Sequence, residues 1–184
     1  MTSQSDVELI EEFRQGKTAA FNELVARYRE KVYWVARRMM GSHEDADDVV
    51  QEVFVRVYEH VGNFRAESGF YTWVYRITVN VSLNALRKKR IKDFINFDEI
   101  AETLVSKDDN TDDRVLRKEY ETALERAIEK LPPKQKLVFI MKYYDEIPFD
   151  EMAKMLKKSV GGLKANYFHA LQKIQKYVRS ELNK

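Results

Sequence analysis

The sequence has no cysteine among its 184 residues. This absence excludes disulfides, thiolate metal sites and a cysteine nucleophile, and it fits a reducing compartment. No apolar run approaches the roughly 20 residues that a membrane-spanning helix needs, and no N-terminal segment resembles a signal peptide. From these absences we expect a soluble, cytoplasmic protein that does not insert into a membrane by itself.

Proline and glycine are scarce as well, at three and six residues, and no run alternates apolar and polar residues as a strand does. Helix signals are frequent instead. Ser5 with Glu8 predicts a capping box, and glycines at 16, 41 and 62 predict helix ends. Apolar residues recur between these points with the period of a helix, and Ser68 is a candidate N-cap for a fourth helix. Residues 1–92 are therefore predicted to form a four-helix domain with essentially no sheet.

Charge is distributed unevenly, although the net charge is only +2. Residues 91–117 hold four basic and eight acidic residues. The segment Lys154–Lys184 holds eight basic residues and a single acid, Glu181. A cationic end that follows an acidic connector is typical of a protein that binds a polyanion.

The acidic stretch VSKDDNTDD separates two helical blocks. It has too few apolar residues to offset the entropy of ordering itself, so we predict a flexible linker over residues 93–113. A second helical domain is predicted over residues 114–184, with Thr111 or Asp112 as its first N-cap and the three prolines as breaks between helices. The predicted fold class is all-α, with two small helical domains joined by the linker.

The last part of the chain has the spacing of a helix-turn-helix. The apolar period predicts a short helix, a turn at Lys157 and Lys158, and a longer helix on which either Tyr167 or Phe168 faces the interior. The outer face of the longer helix carries donors that can reach bases or phosphates in a major groove, and small glycines that let the backbone approach phosphates. The candidate duplex-binding residues are Ser159, Gly161, Gly162, Lys164, Asn166, Tyr167, His169 and Lys173. Helix pairs of this kind also occur in bundles that bind no DNA.

The stretch FYTWVYRITVNVSLNALRKKR, residues 70–90, predicts a helix with two different faces. The apolar face consists of Phe70, Val74, Ile77 and Val81. The polar face consists of Arg76, Asn80, Asn84 and Arg87. Amides and guanidinium groups can pair with base edges and phosphates, and aromatic rings can stack on an unpaired base. We therefore predict a surface for an opened DNA strand, to which Lys88, Tyr75 and the loop residues Asn63, Phe64 and Arg65 contribute; packing of the aromatics in a core is the alternative.

Two runs carry a resemblance to a known family. Region 2 of the extracytoplasmic-function (ECF, group 4) sigma factors of bacterial RNA polymerase is similar to DADDVVQEVFVRVYEHVGNFRAESGFYTWVYRITVNVSLNALRKKR. Their region 4 is similar to LPPKQKLVFIMKYYDEIPFDEMAKMLKKSVGGLKANYFHALQKI, and the chain has no room for regions 1.1 and 3 of larger sigma factors. The resemblance implies a sigma factor that binds core RNA polymerase, recognises the minus ten and minus thirty-five promoter elements and promotes DNA melting.

The resemblance also implies which residues meet which partner. The clamp coiled coil of the largest polymerase subunit would bind the helix that bears Asp45, Asp47, Asp48, Gln51 and Glu52. A base flipped out of the minus ten element would enter a pocket formed by Asn63, Phe64, Arg65, Tyr75, Arg76, Ile77, Asn80 and Asn84, with Arg87 and Lys88 on phosphates. Region 4 would read the minus thirty-five duplex and contact the polymerase flap, and an anti-sigma factor would regulate the protein.

The acidic helix, the recognition helix and the function of the chain each have an alternative explanation. The dipole of a helix N-terminus favours acids and accounts for Asp45, but poorly for Gln51 and Glu52. The recognition helix has Lys164 and Asn166 where the family often has arginines. Arginine binds guanine with two hydrogen bonds, whereas lysine offers a point charge and asparagine suits adenine. A helix-turn-helix repressor or activator would use residues 1–90 for dimerisation or ligand sensing.

An enzyme is the remaining alternative. The three histidines are scattered along the chain, and neither an HExxH motif nor a phosphate-binding glycine loop is present. We therefore expect no enzyme activity, no catalytic residue, no metal site and no cofactor.

Overall fold

The computed structural model of the protein describes residues 4–95 and 113–183, with side chains described over 4–91 and 118–183. Within this part of the chain the structure is all-α, as expected, and contains no strand. The helices are α1 (Asp6–Arg14), α2 (Thr18–Met40), α3 (His43–Val61), α4 (Phe70–Ile95), α5 (Asp113–Glu129), α6 (Pro133–Tyr143), α7 (Phe149–Leu156) and α8 (Val160–Leu182). The chain divides into two compact units, residues 1–87 and 88–184.

Helix α1 starts, and helix α2 ends, where local signals predict. The Ser5 side chain accepts the Glu8 N–H at 3.3 Å, and the Glu8 carboxylate accepts the Ser5 N–H at 2.7 Å, which completes the predicted capping box. Gly41 ends α2 in the left-handed region at φ 85°, where a residue with a β-carbon would be strained. These contacts confirm the helix limits predicted from the caps.

The limits of α4 and α5 differ from the predicted ones. The Trp73 N–H donates to the Gly69 carbonyl at 3.2 Å, which makes Gly69, not Ser68, the N-cap of α4. At its other end α4 continues to Ile95 because no glycine or proline interrupts it. The predicted linker therefore loses residues at both ends, since α5 already begins at Asp113. The predicted caps at 111 and 112 lie outside the described residues.

The core of the first unit is formed by the inward faces of α1, α2, α3 and α4. Its fully buried aliphatic residues include Leu9, Ile10, Leu24, Val32, Ala36, Val53, Val57, Val61, Val74 and Val81. Each fully buried Val, Leu or Ile contributes roughly 1.5–3 kcal/mol relative to an exposed one. The apolar face predicted for residues 70–90 belongs to this core, and α4 is thereby fixed with its other face toward solvent.

A polar contact attaches α1 to α2. Asp6 Oδ1 accepts from Arg27 Nη1 at 2.6 Å, and Asp6 Oδ2 accepts the Tyr28 hydroxyl at 2.5 Å. Burial, followed by the hydrogen bond to Asp6, raises the pKa of Tyr28 to about 12. The Tyr28 ring also stacks on Tyr71 of α4, with ring centroids 5.8 Å apart. Tyr28 therefore contacts both α1 and α4.

The second unit is organised around α8, against which α5, α6 and α7 pack. Its core consists of Ala123, Ala127, Ile128, Leu131, Phe139, Ala170, Ile174 and Val178. The helix-turn-helix is present as predicted: α7 ends at Leu156, and Lys157 follows in the left-handed region at φ 53°. Ser159 then caps α8 by accepting the Gly162 N–H at 3.2 Å. This turn fixes where the first residues of α8 meet solvent.

Candidate functional site

The first three turns of α3 carry an acidic surface. Four of the residues assigned to it are exposed: Asp47, Asp48, Gln51 and Glu52. Asp45 differs because it belongs to the helix start: the Ser42 hydroxyl donates to its carboxylate at 2.7 Å and accepts its backbone N–H at 3.2 Å. Glu52 forms an ion pair with Arg56 at 2.5 Å, so part of its charge is balanced within the helix. The surface is therefore acidic, with Asp48 and Gln51 at its centre.

An apolar residue extends this acidic surface. Val55 is 57% exposed and lies one turn after Gln51 and Glu52 on the same side of α3. An exposed aliphatic side chain bordered by charged residues is a common arrangement at protein interfaces. The acidic surface therefore includes a hydrophobic contact point.

The polar face of α4 is exposed over most of its length. Asn80, Asn84, Arg87 and Lys88 are exposed, whereas Arg76 is half-buried, as is Ile77 on the apolar face. The neighbours of Asn80, Val79 and Val81, are 1% exposed each, so the helix has little freedom to rotate. From Arg76 to Lys88 the face is about 18 Å long, at about 1.5 Å per residue. It presents two amides and three cations along one fixed helix.

The loop that precedes α4 has two exposed polar residues on either side of a buried ring. Asn63 and Arg65 are exposed, while Phe64 is only 8% exposed. The Phe64 ring contacts Phe70 with centroids 5.5 Å apart and Trp73 with centroids 5.4 Å apart. The ring therefore attaches the loop to the start of α4.

The burial of two aromatics corrects the expected surface. Tyr75 is 1% exposed and contacts Tyr71 edge to face at 5.9 Å. Neither Tyr75 nor Phe64 can stack on a base in this conformation, because both rings are occupied by core packing. Tyr71 and Trp73 are half-buried and leave part of their rings at the surface. The amides and cations are therefore the most exposed groups of this site, and Tyr71 and Trp73 are partly accessible beside them.

The first turns of α8 expose most of the predicted duplex-binding residues. Exposed are Ser159, Gly161, Gly162, Lys164, His169 and Lys173. A β-carbon on Gly162 would lie 3.0 Å from the Ser159 hydroxyl, whereas one on Gly161 would meet nothing within 4 Å. Asn166 is half-buried, and its amide donates to the Gly162 carbonyl at 2.8 Å. The N-cap therefore needs a small residue at position 162, and Asn166 is bonded to its own helix.

The two adjacent aromatics of α8 point in different directions. Tyr167 packs inside, with centroid distances of 6.1 Å to Phe139 and 5.8 Å to Phe149. Phe168 is 57% exposed and touches His169 edge to face at 6.0 Å. Of the two rings, Phe168 and not Tyr167 is thus available on the outer face.

Two family models match the chain. Sigma-70 region 2 matches residues 24–91, and Sigma-70 region 4 matches residues 121–174. The ECF RNA polymerase sigma factor SigW of Bacillus subtilis is 30% identical over 178 residues, which cover 92% of this chain and 95% of that protein. The ECF RNA polymerase sigma-E factor of Escherichia coli is 33% identical over 182 residues, with 95% of each chain covered.

This chain belongs to the ECF sigma factors of the sigma-70 family. The predicted resemblance is therefore confirmed, and the function is that of the family, transcription initiation by RNA polymerase. The RNA polymerase sigma-H factor of Pseudomonas aeruginosa is a further relative, 31% identical over 183 residues that cover 96% of this chain and 95% of that one.

Two solved structures have a similar fold. CnrH in complex with the cytosolic domain of CnrY superimposes with a TM-score of 0.64 at 22% identity, over 96% of this sigma factor and 99% of CnrH. The sigma factor RpoE of Bartonella quintana, in complex with the anti-sigma factor NepR, also gives a TM-score of 0.64, at 16% identity over 86% and 96% of the two chains. At these identities the likeness supports the fold.

Sequence reasoning missed two exposed apolar residues of this sigma factor, Val55 on α3 and Phe168 on α8. Val55 falls outside the apolar stripe of its helix, which was a signal that it faces solvent. Phe168 carried no such signal, because its neighbour Tyr167 fits the inner face almost equally well. The described residues contain neither a helix able to cross a membrane nor a group of three or more metal-binding side chains.

Proposed function

We propose that this sigma factor binds core RNA polymerase through the acidic face of α3, an opened minus ten strand through α4 and its preceding loop, and minus thirty-five duplex through the start of α8. It acts in the cytoplasm as a specificity subunit. It is not an enzyme by itself, because the polymerase supplies the chemistry of RNA synthesis.

The exposure of Asn80 and Asn84 carries the proposal for the minus ten element. An amide offers both a donor and an acceptor, as an unpaired base edge does. Both amides project from a helix whose opposite face is buried, so its backbone needs no ordering when DNA binds. The cations Arg87 and Lys88 follow on the same helix and suit the phosphates of a strand held along it.

The charge of α3 supports the proposal for the polymerase. Asp47, Asp48 and Gln51 are exposed and suit a basic partner such as the clamp coiled coil of the largest polymerase subunit. Val55 adds an apolar contact at the end of this surface. Charged residues that border a small apolar contact suit a reversible subunit interface.

The capped first turn of α8 supports the proposal for duplex binding. Gly161 and Gly162 leave the backbone accessible, while Lys164 and Lys173 supply cations. Helix N-termini and lysines bind phosphates, which positions a recognition helix in the groove without reading sequence. Sequence preference would come from His169 and Phe168, the latter suited to the methyl group of thymine. The same domain would contact the polymerase flap.

An anti-sigma factor is the further partner that we propose. RpoE of Bartonella quintana, which has this fold, is seen in complex with the anti-sigma factor NepR. A protein that covers the α3 face or the α4 face would prevent the polymerase or the promoter from binding.

Transcription in vitro with purified core polymerase and a library of promoter fragments tests the function as a whole. Within it, Asn80→Ala should lower open-complex formation about tenfold, because each base contact is worth about 1–3 kcal/mol. The measurement is permanganate reactivity of thymines at equal holoenzyme concentration. Asn22→Ala, which removes an exposed amide from α2, is the matched control. Equal reactivity in both variants would contradict the α4 site.

Charge reversal tests the polymerase interface separately. Asp48→Lys should weaken association with core by about tenfold, with a loss that shrinks at high salt, because the attraction between exposed charges is screened. Glu30→Lys reverses an exposed acid on α2 and serves as the control. Fluorescence titration of labelled protein with core measures both. An unchanged affinity for Asp48→Lys would remove α3 from the interface.

A further inference from the structure

Arg14, the last residue of α1, reaches across the first unit to the loop that follows α3. Its Nε donates to the Gly62 carbonyl at 2.9 Å, and its Nη2 donates to the Phe64 carbonyl at 2.7 Å. Its Nη1 also contacts Glu11 at 3.1 Å. One guanidinium group therefore holds two carbonyls that lie two residues apart. The rigid fork of arginine can do this, whereas the single ammonium group of lysine cannot hold the same geometry.

The loop is held on its opposite side by its own side chain. Phe64 is buried against Phe70 and Trp73, so its ring is attached to α4 while its carbonyl is attached to α1. The Phe64 N–H donates to the Val61 carbonyl at 3.1 Å, which continues the end of α3. The backbone at this position is thus fixed by three helices.

The residues on either side of this fixed point face solvent. Asn63 and Arg65 are exposed, and they line a cleft of about 500 Å³ together with Arg14 and the α1 residues Val7 and Ile10. Helix α1 therefore forms one wall of the cleft. Through Arg14 it also fixes the loop backbone from which Asn63 and Arg65 project on the other wall.

We propose that Arg14 is a positioning residue for recognition of single-stranded DNA by this loop. By holding the carbonyls at 62 and 64, it fixes the directions of the Asn63 and Arg65 side chains before DNA binds, so that no ordering of the loop opposes binding. Arg14 acts through the loop and need not contact DNA itself. This inference rests on the proposed function of residues 63–65 in minus ten recognition.

A purely structural role is the competing explanation. Gly62 and Phe64 follow the end of α3, so Arg14 could satisfy helix-terminal carbonyls and do no more. That role predicts a loss of thermal stability without any change in DNA preference. The two explanations therefore differ in a measurable quantity, the ratio of affinities for a preferred and a shuffled DNA sequence.

The experiment uses holoenzyme assembled from core polymerase and the full chain. Wild-type holoenzyme first selects a sequence from a random pool of ten-nucleotide single strands, and that sequence and a shuffled version of it become fluorescent probes. The discrimination ratio is the dissociation constant of the shuffled probe divided by that of the selected probe, measured by anisotropy. Melting of the free protein and its affinity for core are recorded for every variant.

We expect Arg14→Lys to lower the discrimination ratio three- to tenfold while affinity for core and for the shuffled probe stays within twofold. Arg14→Gln, whose amide can reach only one carbonyl, should also lower the ratio. It replaces the lysine variant in the test if that variant is unstable. Glu11→Gln removes the exposed ion pair but leaves both loop contacts, so its ratio should equal that of wild type. A ratio at the wild-type value in both Arg14 variants, with or without a lower melting temperature, would overturn the positioning role.

Substitution of the loop itself separates this inference from the function on which it rests. Arg65→Ala should lower the ratio if residues 63–65 bind DNA. If Arg65→Ala lowers it and the Arg14 variants do not, the loop binds DNA and Arg14 does not position it. If Arg65→Ala and Asn63→Ala both leave the ratio unchanged, the proposed minus ten function of the loop is itself wrong, and the positioning role is refuted with it.

Discussion

Replacing Tyr28 by phenylalanine should weaken the attachment of α1 and should also change how stability depends on pH. The Tyr28 hydroxyl donates to the Asp6 carboxylate at 2.5 Å. A hydrogen bond to a charged group contributes about 1.5–3 kcal/mol. Because Asp6 keeps its contact with Arg27 in the variant, we expect a loss near the middle of that range, about 2 kcal/mol at pH 7.

The pH dependence follows from the raised pKa of Tyr28, about 12 compared with an ordinary value of 10. Below pH 10 the phenol is protonated in both the folded and the unfolded chain, so its contribution to stability is fully present. Between pH 10 and 12 the unfolded chain loses the proton first, and stability falls by up to about 1.4 kcal/mol per pH unit. Phenylalanine cannot titrate. The difference between wild type and Tyr28→Phe should therefore shrink by about 1.4 kcal/mol at pH 11 and approach zero near pH 12.

Urea unfolding followed by tryptophan fluorescence measures this difference. Both tryptophans, Trp34 and Trp73, lie in the first unit, so the signal reports the unit that contains Tyr28. All other titrating groups are shared by the two proteins and cancel in the difference. Tyr58→Phe changes a half-exposed ring of the same unit and should stay within about 0.5 kcal/mol of wild type at each pH. A difference that stays constant from pH 7 to 11 would refute the reasoning.

Three further predictions concern stability, and each rests on a single local cause. The backbone of Lys157 is strained in the left-handed region at φ 53°. Lys157→Gly removes this strain and should stabilise the second unit by up to about 1 kcal/mol, whereas Lys157→Ala should not. Urea unfolding followed by circular dichroism distinguishes the two variants. Ser82→Ala removes a buried hydroxyl that has no hydrogen-bond partner among the described residues and should be neutral or stabilising by about 1 kcal/mol, so a clear loss on calorimetry would contradict it. Gly161→Ala should raise the melting temperature because its β-carbon has space, whereas Gly162→Ala should gain less or lose, since its β-carbon would lie 3.0 Å from the Ser159 hydroxyl.

Most helices could be predicted because their start and stop signals lie within a few residues of each other, although the N-cap of α4 lies one residue later than expected. Ser5 meets Glu8, and this contact does not depend on the rest of the fold. The exposed amides of α4 followed from the helical period in the same way. Such features need only the local sequence, and the structure agrees with them.

The burial of individual aromatics could not be predicted in this way. Phe64 is buried because Phe70 and Trp73 close over it, and Tyr167 faces inward because Phe139 and Phe149 receive it. These partners come from other elements of the fold. A helical period cannot decide between neighbours that both lie at the edge of an apolar face.

The contact of Arg14 with the loop was equally hidden from the sequence. It spans 48 residues to Gly62 and 50 to Phe64, and an arginine at a helix C-terminus is common because it suits the helix dipole. No local pattern distinguishes an arginine that holds a distant backbone from one in solvent. Only the path of the chain brings the two together.

The amide of Asn166 is closed onto its own helix, with the Gly162 carbonyl 2.8 Å away. This bond uses one N–H of the amide and leaves the second N–H and Oδ1 for a base. Because the helix already orients the remaining donor and acceptor, an adenine that meets them finds a side chain that needs no further ordering. Promoters that carry another base opposite Asn166 should consequently be used less, and a regulon built on this sigma factor would drift little at that position.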